Sequence, residues 1–318
     1  MAKVVVLGEL CEDILMHSPA SVEVMGQKIW AKDIVITAGG SAFYTGAALQ
    51  KLGADISVCS VVGDDAAGQR ILAVLEEMDM DRSMIYTLPG QSTTQSMMVC
   101  DGAQKDFIGC SPMLPMQLPR WEELQDADLF YIAGYALYPE LWSDEMMALC
   151  EKAKHSGICI AMDSQLLPME GQGLAEMSRL NQILPMVDLF FAARKDAMGL
   201  FGKDDPAGCY AALENLGFSG LMLLKQGPEG CYMVNRDMSL LVPSFQVRAF
   251  DTVGSGDVFG GSFCWAWIQN WGPLGSARFA AAYTALSICE YSGKKRFPSA
   301  AEAEDMLLNK NLKGVGIQ

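Results

Sequence analysis

Histidine is almost missing from this 318-residue chain; His17 and His155 are the two present, far apart. Their scarcity gives little support to a histidine metal cluster or a Ser-His-Asp triad. Basic residues are also few, 23 Lys and Arg against 38 Asp and Glu, for a net charge of −15. Nucleic acids and anionic membranes both need a basic face, so neither is expected as a partner. No C-x-x-C pair occurs among the ten cysteines, at 11, 59, 100, 110, 150, 159, 209, 231, 264 and 289. Most lie inside apolar runs, which favours reduced core thiols in a cytoplasmic protein over disulfides or zinc. No apolar stretch reaches membrane-spanning length, and the run after Met1 is too short for a signal peptide. Without an internal repeat, low-complexity segment or linker, residues 1–318 read as one domain.

What the chain does have is apolar residue, 51% of the total, with only 19% charged. That is enough for a sizeable core. Val4–Leu7 is a short apolar run of the kind buried on both faces of a parallel sheet. Further strands read at Ile56–Val62, Asp128–Ala133, Ile158–Met162, Asp188–Phe191, Leu221–Lys225 and Cys231–Val234. Helical patterns at Ala42–Leu52, up to Glu77, and at Glu140–Ser156 fall between them. Alternation of this type implies an α/β fold with a parallel sheet between two helix layers. Residues 14–36, 84–88, 94–100 and 105–110 read instead as short strands with turns between them.

The most informative stretch is Phe250-Asp251-Thr252-Val253-Gly254-Ser255-Gly256-Asp257, followed by an apolar helix from Val258 to Asn270. Ser244–Phe250, ahead of it, alternates apolar and polar residues and reads as a strand. A strand, a glycine turn and a helix start make an anion site, because unpaired N–H groups and the positive end of the helix dipole converge there. Asp257 sits in the first helical turn. An aspartate there is ordinarily a cap; beside an anion site it also suits a base that takes a proton from an attacking hydroxyl.

The string D-T-V-G-S-G-D, with Gly260-Gly261 behind it, resembles the C-terminal signature of the ribokinase-like (PfkB) carbohydrate kinases, usually D-T-x-G-A-G-D. Weaker landmarks follow in the family's order: Gly8 to Asp13, Gly39-Gly40, Gly63 to Gly68 and Gly227 to Gly230. The resemblance implies a ribokinase-like three-layer sandwich with a small β-sheet lid, built from about 14–36 and 94–110 with Met84–Leu88 beside them. It implies ATP-dependent phosphorylation of a hydroxymethyl group on a sugar or sugar-like molecule, with Mg²⁺. Asp257 would be the base, and the amides of Gly254, Ser255 and Gly256 the anion hole. Asp13, Gly39 and Gly40 would hold the acceptor. Lys225, Gly227, Gly230 and Thr252 would lie near the nucleotide, Lys225 either meeting a phosphate or solvated. Some members also bind K⁺ through main-chain carbonyls near 291–293. Lids of this kind often pair with a second copy, so a homodimer is one candidate assembly.

Three departures from the family pattern stand out. Tyr44, beside Phe43, replaces an expected asparagine; it either stacks on a substrate ring or joins the core. Asp163-Ser164-Gln165 stands where many members read D-P-N. Ala193 and Asp196 replace the Asn and Glu of N-x-x-E, so Asp196 would order the metal through water on a shorter stem. These changes leave two alternatives open: a nucleoside kinase of the same fold, suggested by the aromatics, and a ligand-binding homologue with weak turnover.

Overall fold

The structure, a computed structural model, describes residues 1–17, 30–101, 104–110, 114–165, 179–290 and 297–309. Nine strands form the central sheet, in the order β13-β12-β11-β10-β9-β8-β1-β4-β5. They are β1 (Lys3–Leu7), β4 (Asp55–Gly63), β5 (Ile85–Leu88), β8 (Leu129–Ala133), β9 (Cys159–Asp163), β10 (Leu189–Ala193), β11 (Leu221–Lys225), β12 (Cys231–Asn235) and β13 (Met238–Val242). All are parallel from β5 through β11, and β12 and β13 return antiparallel at the edge.

The period-2 rule explains how one short apolar run serves both faces. Val4 and Val6 enter the core packed by α1 (Ser41–Lys51), α8 (Ser255–Ile268) and α9 (Gly272–Ser287). Val5 and Leu7 enter the opposite core, packed by α4 (Asp144–His155), α6 (Arg194–Phe201) and α7 (Pro206–Asn215). The helices α2 (Ala66–Glu77) and α10 (Ala300–Asn309) join the first layer, and the single turns α3 (Trp121–Leu124) and α5 (Leu180–Ile183) lie between elements of the second. The three-layer α/β expectation is met. Of the two acids after Gly63, Asp65 is the cap, accepting from Gly68 N at 3.0 Å, whereas Asp64 accepts from Gly90 N in the turn after β5.

A separate four-stranded sheet, ordered β3-β2-β6-β7, forms the lid from β2 (Cys11–His17), β3 (Asp33–Gly39), β6 (Gln95–Asp101) and β7 (Gln104–Cys110). Two strand expectations need correction. Met84–Leu88 is no part of the lid; β5 pairs parallel with β4 at the edge of the main sheet. Ser244–Phe250 forms no strand. Pro243 removes a donor, the Ser244 hydroxyl bonds Pro228 O, and the Phe250 and Asp251 amides both donate to Ile288 O. The last strand before the signature is β13, which lies earlier. The part of 14–36 from 18 to 29, and the carbonyls near 291–293, lie outside the described residues.

Candidate active site

Parallel strands all finish at the same edge of the sheet, and that is where this fold gathers its chemistry. The register sets Ala133 beside Asp163, Phe191 beside Asp163, and Ala193 beside Lys225. Helix α8 starts at the same edge. Asp251, fully buried, accepts from Val253 N at 2.8 Å, an Asx turn that steers the chain into the glycines. Gly254 then takes φ +67 and ψ +6 as the residue before α8, a left-handed geometry that glycine adopts without steric cost. A Cβ at that position would lie 2.3 Å from the ring of Tyr44.

Of the three amides expected in the anion hole, that of Ser255 already donates to Thr252 O at 3.2 Å. The N–H groups of Gly254 and Gly256 have no main-chain acceptor among the described residues. Lys225 Nζ lies 3.3 Å from where a Cβ on Gly256 would stand. It pairs with Asp163 Oδ2 at 2.5 Å, with side-chain exposures of 14% and 1%. Burial works to lower the lysine pKa, but Asp163, Asp257 and Asp196 more than offset it and the net shift is upward. The ammonium therefore stays charged beside the amides, and the solvated alternative for Lys225 is set aside. Asp257 is half-buried. Its Oδ1 accepts from Gln165 Nε2 at 2.5 Å, and its carbonyl from Thr45 Oγ1 at 3.4 Å.

Lys225 and Gly227 line a cleft of about 480 Å³ with Ala193, Arg194, Lys195 and Met198. Asp204 also lines it and pairs with Arg194 at 2.7 Å, which leaves Lys195 and Lys225 as the cationic side chains that suit a polyphosphate. Gly230 and Thr252 are not among its lining residues. Gly230 is instead required by packing, since a Cβ there would meet Val242 O at 2.1 Å. Asp196 is buried, and its pKa is raised, first by burial and then by Asp163. It accepts weakly from Ala193 N at 3.3 Å, at the start of α6.

The residues expected to hold the acceptor come from more distant parts of the chain. Asp13, 2% exposed, sits near the start of β2, where the sequence suggested a loop. Its Oδ1 accepts from Ser96 Oγ at 2.6 Å and Cys11 Sγ at 3.2 Å; its Oδ2 accepts from Tyr44 Oη at 2.8 Å. Gly39 lies flush against the carboxylate, and a Cβ there would approach Asp13 Cγ to 2.1 Å. Gly40 precedes α1 and backs onto Glu9 O. Burial, and next the neighbouring Asp13, push the Glu9 carboxyl up to about 7, against a hydrogen bond from Tyr138. Glu12 plays a different part. It is clamped by Arg70 at 2.5 and 3.0 Å and by Gln95 at 2.6 Å, and the Arg70 bond holds its pKa down.

Tyr44 is thus neither an open stacking platform nor plain core. It is 2% exposed, bonds Asp13 Oδ2 and packs its ring on Gly254. Phe43 is buried as well. The sequence reading missed Gln165, Ser96, Glu9 and the approach of His17 Nε2 to Asp251 Oδ2, 4.0 Å, which joins the lid to the signature. Gln165 had a signal, its place in the altered D-P-N segment; Ser96 had none.

Comparison with known proteins shows the family and the fold. The pattern of the pfkB family of carbohydrate kinases matches residues 1–300. A ribokinase from Haemophilus influenzae is 22% identical over 311 residues, 95% of this chain and 97% of its own. Among solved structures, a candidate ribokinase from Agrobacterium tumefaciens superposes with a TM-score of 0.84 at 21% identity, covering 98% of this chain and 99% of that one. A candidate ribokinase II from E. coli, in complex with ATP and Mg²⁺, gives 0.77 at 19% identity, with coverages of 98% and 100%.

Proposed function

The chain belongs to the pfkB family of carbohydrate kinases, and from that premise we propose that it transfers the γ-phosphoryl group of ATP to a hydroxymethyl group of a sugar or sugar-like acceptor, with Asp257 as general base. One observation carries the assignment. Asp257, the Gly254 and Gly256 amides and the charged Lys225 meet where α8 begins over the ends of β9 and β11.

In this reading the acceptor hydroxyl gives its proton to Asp257 as its oxygen attacks the γ-phosphorus. The bond from that phosphorus to the β–γ bridging oxygen breaks, and ADP leaves. Amides of Gly254 and Gly256, with Lys225, stabilise charge on the transferring oxygens. Asp13 positions the acceptor; a substrate hydroxyl that reaches Oδ2 must compete with the Tyr44 phenol. Lid strands exclude water, so that ATP is not hydrolysed instead.

The donors present fit Mg²⁺ carried mainly by phosphates and water. Among the described residues no three His, Cys, Asp or Glu side chains gather to hold an ion. Asp163 Oδ1 is buried without a hydrogen-bond partner, and Asp196 is close enough to it to feel its charge. When bound, the ion would neutralise charge on the β- and γ-phosphates, with Asp163 and Asp196 holding its waters. K⁺ enters the proposal only through main-chain carbonyls, and its test is activity in K⁺ against Na⁺ buffers.

We read residues 1–318 as one kinase domain with its lid, in the cytoplasm. Free cysteines among the described residues support this location. A homodimer through the lid is supported by Ile34 and Ile36, 55% and 54% exposed on β3. They stand in register with Met16 and Ile14 on β2, and Ile14 in turn with Met97 on β6. Light scattering that gives a monomer mass would remove it.

The test of function is an ADP-release assay over parallel panels of sugars and nucleosides. Turnover on sugars is expected. Asp257→Asn should lower kcat by roughly 10²–10⁴ with folding intact, and unchanged turnover would remove Asp257 from the mechanism. A nucleoside acceptor stays in the panel, although burial of Phe43 and Tyr44 takes away the stacking argument for it. The weak-turnover alternative rests on Ala193 and the altered segment after Asp163, and tight binding by calorimetry with no ADP under any metal would support it.

A further inference from the structure

Gln165 is held in a conformation that its own chemistry does not favour. Its φ is +40, a region that a residue with a Cβ adopts only at a cost in strain. Asp79 and Asn270, the other non-glycine residues with positive φ among those described, follow the ends of α2 and α8, where such geometry is common. Gln165 follows a strand. Neighbouring strands over-determine it: Gly134 N donates to Asp163 O, Ser164 N to Phe191 O, and Ala136 N to Ser164 O, at 3.2, 3.0 and 3.0 Å. The strained turn aims the side chain at Asp257, with Nε2 2.5 Å from Oδ1. The amide nitrogen must face the carboxylate, because two oxygens at that distance would repel. At the other end of the amide, Oε1 lies 3.0 Å from where a Cβ on Gly134 would be, so glycine at 134 leaves room for it.

We infer that Gln165 is a positioning residue for the base, fixing the Asp257 carboxylate through Oδ1 so that Oδ2 is turned to the acceptor hydroxyl. The inference rests on the reading of Asp257 as base. A neutral donor suits the task. A lysine would add a second ammonium beside Lys225 and weaken the base, and a glutamate would repel it. Among the described residues, Lys225 from β11 and Tyr131 from β8 also act on Asp257, with Asp163 from β9 on the far side of Lys225. None of these supplies the short contact that Gln165 makes. The altered D-P-N segment, which from sequence pointed to lost activity, thus carries an amide to the base on a side chain one methylene longer.

The test uses the full chain with ¹³C-labelled aspartate, with the Asp257 signal assigned by its loss in Asp257→Asn. Gln165→Met keeps the shape and removes the donor. Its Asp257 titration midpoint should lie about 0.5–1 pH unit above wild type, since a hydrogen bond to the charged form is lost. An unmoved midpoint overturns the inference. Gln165→Glu, near-isosteric, should raise it further and stands in if the Met variant does not fold. In kinetics with ribose or fructose, whichever wild type turns over, Gln165→Met should lower kcat about tenfold. The KM for ATP should hold, and the acid limb of kcat/KM should move up. A fall in kcat with an unmoved limb marks a merely structural role and overturns the inference. Should Asp257→Asn abolish turnover while Gln165→Met leaves it intact, this inference alone fails. If Asp257→Asn is fully active, the base assignment fails with it.

Discussion

The two halves of the site are built on opposite principles. On the proposed donor side, the Gly254 and Gly256 amides have no main-chain acceptor among the described residues, and Lys225 stays charged beside them. That half is left electrostatically open, and an anion completes it. On the acceptor side Asp13 is already satisfied by Ser96, Cys11 and Tyr44, so a ligand there must displace or share bonds the protein has made for itself. The difference teaches that binding energy is available at once for phosphate, while acceptor affinity is a difference between two sets of hydrogen bonds. Tyr44 is the physical joint between the halves, its hydroxyl on one and its ring on the other.

The donor half breaks hardest at its buried ion pair. Lys225→Met leaves Asp163, 1% exposed, without its cation, a change that costs about 3–5 kcal/mol in stability. Losing the charge beside the phosphoryl group should also cut kcat/KM for ATP by roughly 10²–10³. Calorimetric melting and ATP titrations read the two effects separately, and wild-type values for both would show the pair to be ornamental.

The joint itself is probed at Gly254. Alanine there meets the Tyr44 ring at 2.3 Å in a left-handed backbone, and strain of about 2 kcal/mol predicts a roughly 10- to 30-fold loss in kcat/KM. Combining Gly254→Ala with Tyr44→Ala should recover part of that loss. Strict additivity in the double-mutant cycle would mean the two halves are not coupled through this contact.

The acceptor half should reveal itself through pH. Glu9 titrates near 7 in the folded protein, above its ordinary value of 4.5. The native state therefore holds this proton more tightly than the unfolded chain. No cost is present below about 4.5; it grows as pH rises to about 7 and is constant beyond. Its partial exposure limits the cost to roughly 1–2 kcal/mol. The melting temperature of Glu9→Gln minus that of wild type should rise between pH 5 and 7 and then level off. A difference that ignores pH would place Glu9 outside the buried cluster.

The smallest expected effect sharpens the contrast most. Tyr44→Phe removes the donor that competes for Asp13 Oδ2 at a cost of about 1 kcal/mol in stability. The acceptor KM should fall a few-fold, with kcat and the KM for ATP little changed. A higher acceptor KM would mean that the phenol helps to hold the substrate.

The donor half was largely legible in the sequence because it is local. Asp251 to Asp257 forms one turn and one helix start, and the chemistry of such a turn is written in adjacent residues. The sheet was legible for a similar reason, since each strand is a short apolar run. Met84–Leu88 went to the wrong sheet because a four-residue strand carries its pairing preference in its partner, β4, and not in itself. Ser244–Phe250 had the alternation of a strand, but its hydrogen bonds go elsewhere, including to Ile288. The acceptor half was harder. Ser96 reaches Asp13 across 83 residues and Tyr44 across 31, and no local pattern announces either contact.

Sequence alone determined the alternation of strand and helix, the glycine turn at the head of α8 and the aspartate in its first turn, because each follows from neighbours in the chain. Tertiary structure decided which carboxylates serve the site. Glu12 is spent on Arg70, Asp163 on Lys225, Asp13 on a tyrosine from another element, and Asp257 is held by Gln165. A carboxylate's role depends on the donors within about 3 Å of it, and folding brings those donors from distant parts of the chain.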